Sequence, residues 1–152
     1  MNKVFITPDG YDNLKRELDE LICKKRPQAV ERLHKARSMG DLKENSEYSA
    51  AKEGLAFVEG RIREIEEIFK NVEVVKNHNN TYLVSIGSVV TIETDGTYEE
   101  YCIVGDFEAD PINKKLSHTS PIGCALLGKK IGDMIEIKIP AGSKKCKIVT
   151  IK

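Results

Sequence analysis

The hydrophobic pattern divides the chain into two regions with different periods. In the first region, apolar residues recur every three or four positions, which predicts amphipathic helices. From about Lys76 onward they alternate with polar residues, which predicts strands. We therefore expect an α+β protein, with an antiparallel coiled-coil helical hairpin over residues 1–76 and a small antiparallel-sheet domain over residues 77–152.

The first helix is expected from about Pro8 to Ser38. Thr7 suits an N-cap, and Pro8 suits the first helical position because its missing N–H has no partner there anyway. The apolar stripe shifts by one residue after Leu21, and Pro27 lies near that change. We therefore predict one kinked helix rather than two separate helices. Its expected seam consists of Tyr11, Leu14, Leu18, Leu21, Ile22, Val30 and Leu33.

The second helical run has a more regular seam, with spacings of four and three residues. Only Met39, Gly40 and Asp41 separate it from the first run, so the two helices are expected to fold back antiparallel. A helix of about 30 residues is roughly 45 Å long. Such a hairpin can carry its tip far from its base. The expected seam of the second helix consists of Ala51, Leu55, Val58, Ile62, Ile65 and Phe69.

The second region contains the signals of two β-hairpins and one short helix. Asp95-Gly96 separates two alternating runs and is a strong two-residue turn signal. A second pair of runs flanks Ala141-Gly142. Between the hairpins, Ser120-Pro121 is expected to begin a short helix that stops at Gly128.

Composition narrows the classes of function. The 24 basic and 24 acidic residues give a formal net charge of zero, which argues against a broadly polybasic nucleic-acid binder. The sequence shows neither an apolar leader nor a membrane-spanning run, so we expect a cytoplasmic protein without a membrane partner. The four cysteines are scattered and lack metal-ligand spacing, so we expect reduced thiols rather than a zinc site.

Basic residues are concentrated in the part of the first helix that approaches the tip. Between positions 24 and 37 they face a single acid, Glu31. The run is either an ordinary solvated helix face or a stripe that guides a polyanion along the hairpin. The basic residues of this run are Lys24, Lys25, Arg26, Arg32, Lys35 and Arg37.

Asp41 and Glu44, three positions apart at the predicted tip, allow two interpretations. They match a capping box in which Asp41 is the N-cap of the second helix. Alternatively, the two carboxylates bind Mg²⁺, which prefers oxygen ligands and takes one or two protein carboxylates beside water and phosphate. Two acids make an incomplete site on their own, so the second interpretation requires other ligands from a partner.

Three segments carry a resemblance to a known family. The residues GDLKENSEY at 40–48, between Ala36-Arg37 and the residues AAKE at 50–53, closely resemble the tip signature of the Gre transcript cleavage factors. The segments IVGDFEAD at 103–110 and SPIGCALLGK at 120–129 are similar to that family's C-terminal motifs. The resemblance covers essentially the whole chain, and it is closer to the branch with the smaller basic patch.

The resemblance implies a fold and a mechanism. In Gre factors the coiled-coil hairpin enters the secondary channel of bacterial RNA polymerase, while an FKBP-like domain docks at the rim. It implies that Asp41 and Glu44 are the catalytic, metal-ligating acids, which hold Mg²⁺ jointly with the polymerase for hydrolysis of backtracked RNA. The factor is then not an enzyme by itself and is expected to be a monomer.

The resemblance also assigns contacts. Arg37 and Lys52 match basic positions suited to the nascent RNA 3′ end, although the family often has Arg at the position of Lys52. Polymerase contact is expected for residues in the two C-terminal motifs. Three alternatives remain open: a channel-binding inhibitor that does not cleave, a prolyl isomerase, and a coiled-coil adaptor without chemistry. The expected polymerase-binding residues are Asp106, Asp110, Ser120 and Pro121.

Overall fold

The computed structural model describes residues 3–40, 45–76 and 81–152, and these form two compact units. The described residues between 12 and 71 form a helical unit. Residues 3–11, 72–76 and 81–152 form the other unit, which contains the sheet. Strand β1 (Val4–Ile6) pairs in parallel with strand β2 (Val72–Val74), so the two ends of the predicted hairpin segment are held in the sheet unit.

The first long helical segment is continuous, as predicted, but it contains a π-helical turn. Helix α1 (Pro8–Glu20) runs into the π-helical turn Leu21–Lys25, which is followed by helix α2 (Arg26–Ser38). A π turn contains an extra residue per turn, which explains why the apolar seam shifts by one position after Leu21. The wider turn immediately precedes Pro27, whose ring would clash with the carbonyl of a regular preceding turn.

Helix α3 (Ser46–Lys70) packs against the first helical segment along a seam that differs from the prediction at two positions. Val30 was expected in the seam but is 49% exposed, because the seam of α2 passes through its neighbour Ala29 and then Leu33 and Ala36. On α3, Ile68 is buried and Phe69 is only half-buried. The buried seam residues of the helical unit are Leu14, Leu21, Ala36, Ala51, Ile62, Ile65 and Ile68.

Among the residues that the structure describes, five strands form the main sheet, in the order β5-β4-β3-β7-β6. Three of its four pairings are antiparallel, as predicted, whereas the short edge strand β5 is parallel to β4. Asp95 and Gly96 have φ angles of 50° and 82°, which is the conformation of a type I′ turn, so the first hairpin is confirmed. The bounds are β3 (Val89–Thr94), β4 (Thr97–Val104), β5 (Lys115–Ser117), β6 (Met134–Ile139) and β7 (Gly142–Ile151).

Helix α4 (Pro121–Leu126) covers part of the sheet, where Leu126 is fully buried. The helix begins after Ser120 and the chain turns away at Gly128, with φ +75°, as the sequence predicts. The α+β fold class is therefore confirmed. The core of the sheet unit consists of Val84, Val90, Ile92, Ile103, Leu126, Ile135, Ile137, Cys146, Ile148 and Ile151.

Three further observations concern the cysteines, possible metal ligands and the apolar character of the helices. All four cysteines are free thiols, and Cys146 is buried in the sheet core. Among the described residues no cluster of three or more His, Cys, Asp or Glu side chains could hold a metal ion. Within the same residues, no helix combines the length and the apolar character needed to cross a membrane.

Candidate functional site

The described residues on either side of the predicted tip define where the two helices end. Helix α2 ends at Ser38, and Gly40 has φ +129°, a conformation that favours glycine. Helix α3 begins at Ser46. Asp41 and Glu44 lie outside the described residues, so their role as metal-ligating acids stays a prediction.

Asn45 is the N-cap of α3. Its side-chain oxygen accepts a hydrogen bond from the backbone N–H of Tyr48 at 3.1 Å. Its side-chain nitrogen donates to the carbonyl oxygen of Ala36 at 2.7 Å, which links the start of α3 to α2. Because the cap of this helix is Asn45, the alternative interpretation, a capping box that begins at Asp41, is wrong.

A bidentate ion pair lies beside this cap. The Arg32 guanidinium donates through Nε to Glu47 Oε1 at 2.8 Å and through Nη2 to Glu47 Oε2 at 3.2 Å. This hydrogen bonding holds the pKa of Glu47 below its ordinary value. Two predicted elements are thus joined, since Arg32 belongs to the basic run and Glu47 to the tip signature. About half of each side chain is exposed, so the pair orients the helices more than it stabilises them.

Arg37 and Lys52, the predicted RNA-binding residues, are both exposed and both lie near the tip end of the hairpin. Arg37 is in the last turn of α2, and Lys52 is in the second turn of α3. Within the described part of the chain neither makes an ion pair, in contrast to Arg32 with Glu47 and Lys35 with Glu31. Both side chains are exposed, so solvent and dissolved ions reach their charges.

The structure brings the two predicted polymerase-binding segments together through Asp106. Its carboxylate accepts hydrogen bonds from the hydroxyls of Ser117 and Thr119, just before Ser120-Pro121. These hydrogen bonds hold the pKa of Asp106 below its ordinary value, with a smaller contribution from His118, whose Nδ1 lies 4.0 Å away. The first predicted contact residue therefore also has a structural role.

The other three predicted contact residues also take part in local structure. Asp110 accepts a 2.6 Å hydrogen bond from the side chain of Asn113, within a short 3₁₀ turn (Pro111–Asn113). Ser120 caps α4 by accepting from the N–H of Gly123 at 3.0 Å, and Pro121 is exposed in the first turn of that helix. Polymerase contact by these residues stays a prediction.

Glu108 is an organising residue that sequence reasoning missed. Its carboxylate accepts from the N–H of Thr7 at 2.9 Å, from the N–H of Gly105 at 3.2 Å and from the Thr7 hydroxyl. The Thr7 hydroxyl in turn accepts from the N–H of Gly10 at 3.1 Å, which confirms Thr7 as the cap of α1. A signal was present: glycine is unfavourable inside a helix, and Gly10 indicates a close approach by another group.

Two large apolar side chains are exposed in the segment that follows Asp106. Phe107 is 50% exposed, and Ile112 is 92% exposed on the 3₁₀ turn after Asp110. The sequence assigns neither of them to a contact surface.

The sheet unit contains a pocket of about 350 Å³ that bears on the prolyl-isomerase alternative. Ile92, Ile122 and Ile137 form apolar walls, but Tyr101 is the one aromatic residue among those that line it. Charged residues, including Glu99 and Lys144, complete its lining. This mixed surface differs from the apolar, aromatic pocket on which that alternative depends.

Comparisons with known proteins match the two parts of the chain to two family models. The family described as "Transcription elongation factor, N-terminal" matches residues 4–74, and "Transcription elongation factor, GreA/GreB, C-term" matches residues 79–152. The transcription elongation factor GreA of Thermoanaerobacter pseudethanolicus is 45% identical, with 98% of this chain and 97% of the relative covered. GreA of Bacillus subtilis is 44% identical at the same coverage.

A solved structure of GreA factor homolog 1 from Thermus thermophilus is 28% identical, covers 99% of each chain and has a TM-score of 0.47. The curated relatives match this chain over nearly its full length, with both parts in the same order. Both curated relatives are named GreA. The chain therefore belongs to the GreA/GreB family of transcription elongation factors.

Proposed function

We propose that this elongation factor stimulates Mg²⁺-dependent hydrolysis of backtracked RNA inside bacterial RNA polymerase, which it reaches through the secondary channel. Hydrolysis of the extruded RNA would create a new 3′ end in the active site and allow an arrested complex to resume. The protein would do this as an activator of the polymerase, without nuclease activity of its own. We expect it to act in the cytoplasm as a monomer.

The observation that carries this proposal is the construction of the hairpin end. Helix α3 alone has 25 residues, roughly 37 Å of helix, and it packs against α2 so that the pair is only two helices wide. Asn45 and the Arg32–Glu47 pair hold the helices together at one end. A narrow hairpin whose helices are joined near this end can present residues inside a channel.

Two acids at positions 41 and 44 fit the ligand chemistry of Mg²⁺. The ion takes carboxylate oxygens and demands six ligands, so this pair would supply a minority of the coordination. The polymerase and the RNA phosphate would supply the rest, which accounts for an activity that needs both proteins. When bound, Mg²⁺ would activate water and stabilise the charge that develops on the leaving oxygen.

Arg37 and Lys52 would hold the extruded RNA. Both are exposed cations near the same end as the acids, and neither is neutralised by an ion pair within the described residues. Phosphate contacts of this kind position a nucleic acid without reading its sequence. The basic residues of the hairpin are therefore expected to place the scissile phosphate, while the acids act on it.

The sheet unit would supply the docking surface for the polymerase. The hydrogen bonds from Ser117 and Thr119 to Asp106 hold the two predicted contact segments side by side. Phe107 and Ile112 add exposed apolar side chains within and just after the first of these segments, and aromatic residues such as Phe107 are enriched at protein interfaces. Docking there would leave the hairpin to enter the channel.

The test is a cleavage assay with purified, stalled bacterial RNA polymerase whose RNA is labelled. The wild-type protein should shorten the RNA only when Mg²⁺ and polymerase are both present. Asp41→Asn and Glu44→Gln keep the size of each side chain and remove its charge, so each should lower the cleavage rate by at least about tenfold. Glu59→Gln is the matched control, because it removes an exposed acid from α3 roughly 20 Å from the helix start.

The inhibitor and adaptor alternatives each predict a different result. A non-cleaving inhibitor would bind the stalled complex and yield no shortened RNA. A coiled-coil adaptor would show no effect on the polymerase at all. Wild-type cleavage by both Asp41→Asn and Glu44→Gln would refute the metal-ligand role of the two acids.

A further inference from the structure

We propose that Asn45 is a positioning residue for transcript cleavage, which fixes the ends of the segment that carries Asp41 and Glu44. This inference rests on the proposed function. It assigns no contact with RNA or metal to Asn45 itself. Its role is to hold two helix ends at a set separation.

One side-chain amide makes both of the relevant hydrogen bonds. The Oδ1 of Asn45 accepts from the N–H of Tyr48 at 3.1 Å, which caps α3. Its Nδ2 donates to the carbonyl of Ala36 at 2.7 Å, across the hairpin. Ala36 is 1% exposed, so the acceptor of this hydrogen bond belongs to a residue packed in the seam between the helices.

The chain between these two residues contains the predicted acids. Eight residues, 37–44, run from the Ala36 carbonyl to Asn45, and the acids are the fifth and the last of them. The hydrogen bond between Asn45 and Ala36 fixes the separation of the two positions that bracket residues 37–44, which is the constraint of a closed loop. Mg²⁺ demands near-ideal octahedral geometry, and a misplacement of about 1 Å can cost a large factor in rate.

The choice of asparagine distinguishes positioning from capping alone. Serine, threonine and aspartate cap helices about as well as asparagine, but none of them offers an amide donor. Among these cap residues only asparagine carries its acceptor and its donor on two separate atoms, Oδ1 at Tyr48 and Nδ2 at Ala36. The single hydroxyl oxygen of serine or threonine lies one bond closer to the backbone and does not reach both partners. The neighbouring Arg32–Glu47 pair joins the helices through two long, half-exposed side chains and leaves the ends of the segment less restricted.

The decisive variant is Asn45→Ser, which keeps a cap and cannot reach Ala36. Asn45→Ala removes the cap as well. Glu17→Gln is the matched structural control, because it weakens a cross-hairpin contact of Arg61, whose Nε lies 2.6 Å from Glu17, roughly 28 Å along the helix from Ala36. For each protein, the maximum cleavage rate at saturating factor, the half-saturating factor concentration, the Mg²⁺ dependence and the thermal midpoint are measured with stalled polymerase.

We expect Asn45→Ser to lower the maximum cleavage rate by about fivefold or more, the scale of one lost hydrogen bond, and to raise the Mg²⁺ concentration required. Its half-saturating concentration should stay near that of the wild type. Glu17→Gln should lower the thermal midpoint and leave the maximum rate unchanged. Wild-type maximum rate and Mg²⁺ dependence for Asn45→Ser would overturn the inference, as would an equal rate loss in Glu17→Gln. If the wild-type protein gives no cleavage, the proposed function fails first.

Discussion

The carboxylate of Glu108 fills the space into which a side chain at Gly10 would project. A Cβ built on Gly10 would lie 2.0 Å from Glu108 Oε1, far inside van der Waals contact. The carboxylate cannot simply move aside, because it accepts hydrogen bonds from Thr7 and Gly105. The first turn of α1 therefore contains a glycine because the partly buried Glu108 carboxylate occupies the space of a side chain, despite the penalty for glycine in a helix.

Gly10→Ala should lower the free energy of unfolding by about 1–3 kcal/mol. Alanine is favoured over glycine in a helix by about 1 kcal/mol, but here the added methyl group displaces Glu108 and breaks its hydrogen bonds. Urea unfolding at neutral pH, followed by circular dichroism, measures the change.

Two further variants isolate the cause. Gly60→Ala is the control, because a Cβ on this α3 glycine would meet nothing within 4 Å, so stability should rise by about 0.5–1 kcal/mol. In a Glu108→Ala background, Gly10→Ala should no longer destabilise the protein. A loss of the same size in that background would assign the effect to something other than Glu108.

Tyr101 should titrate well above an ordinary tyrosine. A hydrogen bond from its hydroxyl to the Glu99 carboxylate and partial burial raise its pKa to about 12. Because the folded-state pKa is raised, the associated stability is present below pH 10 and is lost as the pH rises through 12. The difference in tyrosinate absorbance between wild type and Tyr101→Phe reports this group. Glu99→Gln should lower the measured pKa; an unchanged value would refute the assigned cause.

Asp106→Asn should destabilise the sheet unit at neutral pH and have a smaller effect in acid. The Ser117 and Thr119 hydroxyls hold the pKa of Asp106 below its ordinary value. A depressed carboxyl pKa contributes stability that is present above about pH 4 and lost as the pH falls through the folded-state value. With 52% of the side chain exposed, we expect only a few tenths of a kcal/mol. Urea unfolding of both proteins at pH 7 and at about pH 3 tests this; a pH-independent difference would contradict it.

The sequence predicted the elements well where the pattern was regular. The 3-4 spacing on α3 and the Asp95-Gly96 turn each determine one local structure, so both were predictable. The phase shift after Leu21 was visible too, but it was interpreted as a proline kink. The structure accommodates it with a π-helical turn, which also explains why Ala29 rather than Val30 enters the seam.

The contacts that organise the candidate site were less predictable, because they join residues far apart in the chain. Glu108 bonds Thr7 across a separation of 101 residues, and no local pattern encodes such a partner. At the tip, both Asp41 and Asn45 are good N-cap residues, and the start of α3 at Ser46 decides between them. Because N-cap propensity ranks these two residues about equally, the contacts between the two helices determine which of them caps α3.

Replacing Lys52 with arginine should strengthen the proposed contact with RNA. Lysine offers a single compact charge, whereas the planar guanidinium of arginine can donate two hydrogen bonds to one phosphate. Lys52 is exposed and makes no ion pair within the described part of the chain, so the larger head group has room. We expect Lys52→Arg to raise the cleavage rate at subsaturating factor by about twofold and Arg37→Lys to lower it by a similar factor. Lys130→Arg, a substitution at an exposed lysine of the sheet unit, should change nothing. If Lys52→Arg and Arg37→Lys both match the wild type, neither residue contacts the RNA phosphate through the geometry proposed.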